Sequence, residues 1–280
     1  MPPLPLNERL IVARRAAMEL VPGAVVNAGV GLPDGLGSVA AQENIADLLT
    51  LTSEAGTVGG EPGVDTAHGR ANLNFGVAYN PEALLETYAQ FDWYDGGGLD
   101  IALLGLAETD RQGNVNVSRF SGRAMGPGGF INISQCAKKV VFCGTFTAGG
   151  FKVATGDGKL TILQEGRTKK FLDKVEQITY SGAYAARTAQ EVLYVTERAV
   201  FALKDGQMTL IELAPGIDLQ RDVLAQMDFA PVIASPLQSM PEGIFHEHWG
   251  GLREIIESRA LRRFDPSIQP AKSLVTPIRY

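Results

Sequence analysis

Glu54 is the residue of this 280-residue chain whose type and setting best suit a functional site. It follows the apolar run Leu48-Leu49-Thr50-Leu51-Thr52 and enters Ala55-Gly56-Thr57-Val58-Gly59-Gly60, a loop of small residues. In open α/β sheets the carboxyl ends of strands are where ligands usually bind. Gly56, Gly59 and Gly60 would let backbone amides and a ligand approach Glu54 closely. A surface glutamate that merely begins a loop has the same signature, so the residues alone leave both readings standing.

Other candidates are thinner. Gly29-Val30-Gly31-Leu32-Pro33-Asp34-Gly35 lacks the third glycine of the dinucleotide pattern, with Asp34 in its place. It supports a nucleotide-binding oxidoreductase as a rival, while a tight turn explains the glycines equally well. Gly31 is retained as a substrate-loop candidate. The three histidines are His68, His246 and His248. The pair in His246-Glu247-His248 has no third ligand nearby, so no metal is expected. No GxSxG elbow is present for a serine nucleophile. Cys136 and Cys143 form no CxxC, and two cysteines do not make a disulfide scaffold at this length.

The elements that must position Glu54 follow an alternating grammar. Asn7 can cap a helix carrying Leu10, Ala13, Ala17 and Leu20, ended by Pro22-Gly23. A strand over Ala24–Ala28, a helix over Leu36–Ala46 and the strand before Glu54 predict a parallel α/β layer. The carboxyl ends of such strands are where ligands bind. A long glycine-rich passage from Gly56 to Gly76 has the length of a functional loop. Further on, a helix is expected over Pro81–Tyr88, and strands over Ile101–Leu106, Lys139–Phe146 and Phe130–Ile133. Hairpins are expected at Gly156-Asp157-Gly158 and Asp205-Gly206, and a helix capped by Asp218 is expected through Met227. The composition shifts near Ala234, so 1–233 reads as the main domain and 234–280 as a C-terminal extension, packed on the core or reaching a neighbouring subunit.

Composition narrows the class. Apolar residues make up 45% of the chain and charged residues 20%, as in a soluble globular protein. A net charge of −6 argues against nucleic acid, but backbone amides can still bind an anionic ligand. The N-terminal MPPLPLNERLIVARRAAMEL has no uninterrupted apolar core for a secretory signal, and no run has the length of a membrane span. A reducing cytoplasm is expected.

Several stretches together resemble family I coenzyme A transferases, in particular the acetate and propionate branch. They are Val30-Gly31-Leu32-Pro33, Ser53-Glu54-Ala55-Gly56 with Gly59-Gly60, Tyr94-Asp95-Gly96-Gly97-Gly98-Leu99-Asp100 and Gly126-Pro127-Gly128-Gly129-Phe130-Ile131-Asn132-Ile133. The likeness continues through Phe142–Gly150 and Ala214–Asp218, in family order from Asn7 to Ile233.

The resemblance implies an open, mostly parallel sheet flanked by helices with β-hairpin additions. It implies that Glu54 is the nucleophile of a ping-pong transfer through an acyl-glutamyl anhydride and a glutamyl-CoA thioester. It also implies that Gly128-Gly129 supplies an oxyanion or CoA contact. Acyl-CoA and carboxylic acids are the implied substrates, with no permanently bound cofactor. The additional glycine-rich half of single-chain members has no counterpart here, so the chain is expected to be a β-type subunit. It would need an α-type partner in a hetero- or homo-oligomer, without nucleic acid or membrane. Besides the oxidoreductase, the alternatives are a non-catalytic acyl-CoA-binding subunit and a thioesterase, in which water would intercept the anhydride.

Overall fold

Asn7 takes hydrogen bonds from the backbone of Arg9 and Leu10, capping α1 (Glu8–Ala17). This satisfies amides that the first helical turn leaves free. The computed structural model describes residues 4–62 and 78–263; His68 and the glycine-rich passage from residue 63 to 76 lie outside the described residues.

After α1 come β1 (Ala24–Ala28), α2 (Gly35–Gln42), β2 (Leu49–Thr52), β3 (Thr57–Val58), β4 (Ala83–Leu84), α3 (Thr87–Trp93) and β5 (Ile101–Gly105). Then come α4 (Phe130–Cys136), β6 (Lys139–Cys143), α5 (Gly182–Thr188), β7 (Glu191–Val195), β8 (Ala199–Lys204), β9 (Gln207–Leu213), β10 (Val232–Ser239) and α6 (Leu252–Arg263). The strands form one ten-stranded sheet in the order β10-β9-β8-β7-β6-β5-β1-β2-β3-β4. Its centre, β7-β6-β5-β1-β2, is parallel throughout. Antiparallel strands flank that centre on both sides. The expected open, mostly parallel sheet is therefore observed.

Side chains of a strand alternate between faces, and the central strands use this to build two cores. Val26, Ile101, Leu103, Val141 and Cys143 pack with α1, α2 and α6 on one face. Ala102, Leu104, Val140, Phe142 and Tyr194 pack with Phe130, Ile133, Ala185 and Tyr94 on the other. Asn27 falls between Val26 and Ala28, and so belongs to the second face.

Both expected hairpins are present. Lys152–Gly156 pairs with Lys159–Gln164 across Asp157-Gly158, and β8 pairs with β9 across Asp205-Gly206. Each turn has positive φ at both central residues, the backbone that matches strand twist and favours Asp-Gly.

Two expectations fail. Residues 130–136 form a helix rather than a strand. A short apolar run is ambiguous by period, and burial of Phe130 and Ile133, three residues apart, selects the helix. The stretch Pro81–Tyr88 is not one helix: Ala83–Leu84 joins β3 as an edge strand and α3 starts at Thr87. Leu84 is 71% exposed and Leu85 38%, so there is no buried stripe to hold a helix ahead of Thr87. Asp218 does cap, through Arg221 N, but the chain continues as a π turn and a 3-10 turn rather than one regular helix.

The described residues beyond β10 pack on the core. Met240, Ile244, Phe245, Leu252 and Ile256 are buried in the α1–α2 face. The buried Arg14 donates to Ile244 O at 3.1 Å and Glu247 O at 2.9 Å. Among the described residues no helix is long and apolar enough to cross a membrane.

Candidate active site

The chain runs from β1 outward to β2, then returns to the other side of β1 to make β5, β6 and β7 in turn. The connections leaving β1 and β5 therefore diverge, which opens a crevice at their carboxyl ends. Glu54 stands beside it, two residues past the end of β2.

A tight turn carries Glu54. Ser53 N donates to Thr57 O at 3.0 Å and Gly56 N to Ser53 O at 2.9 Å. Gly56 has φ +106°, and a β-carbon there would overlap Leu85 O, so this turn can close only with glycine. Gly59 N donates to Leu51 O at 2.7 Å, and Gly60 lies against Tyr79 O and Asn80 O. Both thus shape the strand that returns beside β2.

Gly129 and Glu54 meet. Gly129 heads α4, and a β-carbon on it would overlap Glu54 Oε2 and stand 2.7 Å from Phe91 Cζ. The carboxylate is thus set against bare backbone, with the Phe91 ring alongside. Gly128, with φ +55°, has no heavy atom near its missing β-carbon. Burial raises the Glu54 pKa above its ordinary value, and no ion pair involves Glu54 among the described residues. Desolvation without a compensating cation disfavours the charged form.

Gly31 lies elsewhere in the wall. Its carbonyl accepts from Arg9 Nη2 at 2.9 Å, and the same nitrogen pairs with Asp34 Oδ1 at 3.1 Å. Asp34, whose pKa burial raises, puts a carboxyl at the head of α2. A diphosphate would need positive potential at that position. Among the described residues no three His, Cys, Asp or Glu side chains converge as a metal site requires.

Behind Glu54 is a polar group that sequence reasoning missed. Asn27 and Thr52 are register partners on β1 and β2, so their side chains share a face. Tyr94 reaches both: Asn27 Nδ2 donates to its oxygen at 3.1 Å, and its hydroxyl donates to Thr52 Oγ1 at 2.7 Å. Burial raises the Tyr94 pKa, and the nearby Glu54 charge adds to the effect. The available signal was a single asparagine in the apolar strand Ala24-Val25-Val26-Asn27-Ala28.

Comparison with known proteins identifies a family. A family model described as Coenzyme A transferase matches residues 9–223. The caffeate CoA-transferase of Acetobacterium woodii is 52% identical over 261 residues, covering 91% of this chain and 48% of that protein. The crystal structure of the acyl-CoA transferase YdiF from E. coli O157:H7, a thioester complex with CoA, aligns with a TM-score of 0.81 and 49% identity. That alignment covers 90% of this chain and 46% of the other. The acetate CoA-transferase subunit beta of Escherichia coli (strain K12) is 31% identical over 215 residues, covering 74% of this chain and 86% of that subunit. The chain spans about half the length of the first two relatives and most of the third.

Proposed function

The chain belongs to the coenzyme A transferase family, and from that premise we propose that it moves coenzyme A between a short-chain acyl-CoA and a free carboxylic acid, with Glu54 as the covalent carrier. The observation that carries this reading is a half-buried carboxylate at a strand end, without a cation and against the Gly129 backbone.

A carboxylate suits the reaction because it can exchange one activated acyl bond for another at nearly equal energy. An oxygen of Glu54 attacks the thioester carbonyl; the carbon–sulfur bond breaks, CoA leaves as thiolate, and an acyl-glutamyl anhydride remains. The thiolate then attacks Cδ of Glu54. The anhydride carbon–oxygen bond breaks, releasing the first carboxylate and leaving a glutamyl-CoA thioester. The acceptor carboxylate runs both steps in reverse and departs as the new acyl-CoA. No proton is consumed. Each attack builds an oxyanion, which a backbone donor can stabilise. We assign that donor to Gly128-Gly129, and the Gly129 backbone lying against Glu54 supports the assignment.

We further propose that an α-type partner, or an equivalent half in the same assembly, completes the site. The shared length with relatives twice as long supports this. So does the exposure of Val30 and Met125 on loops, of Leu84 on the edge strand β4 and of Tyr88 on α3. Coenzyme A is a substrate in this scheme, not a resident cofactor, and the cytoplasm is the proposed compartment. A dinucleotide site at Gly29–Gly37 is disfavoured by the Asp34 carboxyl.

The test is to mix the chain with α-type subunits, supply acyl-CoA, trap with borohydride and locate the reduced side chain by mass spectrometry. Reduction at Glu54, with exchange of acyl groups only in the mixture, is expected. Reduction at another residue, or full activity of Glu54→Ala, overturns the carrier role. Turnover by the isolated chain at ordinary enzyme rates of about 1–1,000 per second overturns the need for a partner.

A further inference from the structure

Three polar atoms in the group behind Glu54 are buried without hydrogen-bond partners among the described residues: Asn27 Oδ1, Gln90 Nε2 and Gln90 Oε1. They gather around one hydroxyl. Asn27 already donates to the Tyr94 oxygen, and the Gln90 amide lies beside that oxygen without forming a well-aligned bond. Gln90 and Tyr94 are both 0% exposed. Buried polar atoms without partners are costly, and packing alone would replace them with apolar groups. This concentration of polar capacity at a reactive carboxylate therefore points to chemistry rather than to stability.

The group has a direction. Asn27 donates to Tyr94, Tyr94 donates to Thr52 at 2.7 Å, and Thr52 Oγ1 donates to Val26 O at 3.0 Å. The single phenol proton is thereby committed to Thr52. Thr52 nonetheless stands two residues before Glu54, and the Phe91 ring that flanks the carboxylate meets the Tyr94 ring edge-on, with centroids 6.1 Å apart. A hydrogen bond from the Tyr94 hydroxyl to Glu54 would steady the anion before attack and blunt it as a nucleophile.

We propose that Asn27, Tyr94 and Thr52 are positioning residues for the transfer: Thr52 captures the phenol proton and Asn27 feeds the phenol oxygen, so the phenol hydroxyl on this side of Glu54 is turned away from it. The carboxylate then meets the acyl thioester free of a competing donor. This inference rests on the proposed role of Glu54 as carrier.

Thr52→Val removes the acceptor with little change in shape and frees the Tyr94 proton for Glu54. In the enzyme assembled with its partner, kcat should fall roughly 10- to 100-fold, the range for one hydrogen bond to a charged group. KM for acyl-CoA should stay within about twofold, because the loss lies in the attack and not in binding. Adding Tyr94→Phe removes the misdirected donor and should restore most of the lost kcat, counted per trappable thioester site. A purely structural role for Thr52 predicts no such rescue of turnover per site. If Thr52→Val does not fold, Thr52→Ala is read in the same way. The proposal is overturned if Thr52→Val keeps its kcat, or if the double variant remains as slow as the single one. Wild-type and Glu54→Gln enzymes are run alongside: an active wild type, an inactive Glu54→Gln and an unaffected Thr52→Val would refute this inference alone. An inactive assembled wild type would refute the transferase reading and this inference with it.

Discussion

Gly129→Ala adds one carbon where the reaction has least room. That carbon would overlap Glu54 Oε2, stand 3.0 Å from Glu54 Cδ and lie 2.7 Å from Phe91 Cζ. Ordinary carbon contacts begin near about 3.5 Å. Phe91 limits movement on one side, so the carboxylate must retreat by roughly an ångström. A misplacement of about that size costs on the order of 100-fold in rate, or about 2.7 kcal/mol of activation free energy. The φ of −77° at Gly129 is open to alanine, so the backbone itself is not strained and the protein should fold. The assay is kcat of the assembled enzyme, with borohydride-trapped thioester as a count of competent sites. Gly128→Ala is the contrast. Its β-carbon meets nothing, but its φ of +55° is unfavourable for alanine, so stability should fall by roughly 1–2 kcal/mol with a smaller effect on turnover. If folded Gly129→Ala turns over at the wild-type rate, the placement of Glu54 against Gly129 does not govern the reaction.

Burial raises the Glu54 pKa, and a carboxyl whose folded pKa exceeds its unfolded one makes folding less favourable as pH rises between the two. Glu54→Gln should therefore unfold at a higher temperature than wild type at pH 7, with the gain disappearing below the unfolded value of about 4.3; an equal Tm at pH 7 would contradict the desolvation. Arg14 is buried, pairs with the equally buried Glu43 at 3.5 Å and holds the Ile244 and Glu247 carbonyls. Arg14→Met strands a buried charge and should lower the unfolding free energy by about 3–5 kcal/mol, while exposing the segment around Trp249 to protease; an unchanged urea midpoint would show that the tail is held by apolar contacts alone.

The sequence by itself determined what neighbouring residues can settle. Asn7 ahead of an amphipathic stretch, Asp-Gly between β-type residues, and apolar runs alternating with a helix specify caps, turns and a parallel layer through local rules. The same locality placed Glu54 at a strand end among glycines, and the order of several motifs pointed to the family. Tertiary structure decided the rest. Whether Phe130–Cys136 became helix or strand depended on which side chains the second core could bury. The position of residues 240–256 depended on their burial against α1 and α2 and on the carbonyls that Arg14 holds. The surroundings of Glu54 come from four separate elements: Asn27 and Thr52 meet through the register of β1 with β2, Tyr94 reaches both from the turn after α3, and Gly129 arrives at the head of α4. Pairing and packing bring these residues together across long stretches of chain, and no local pattern around any one of them records the other three.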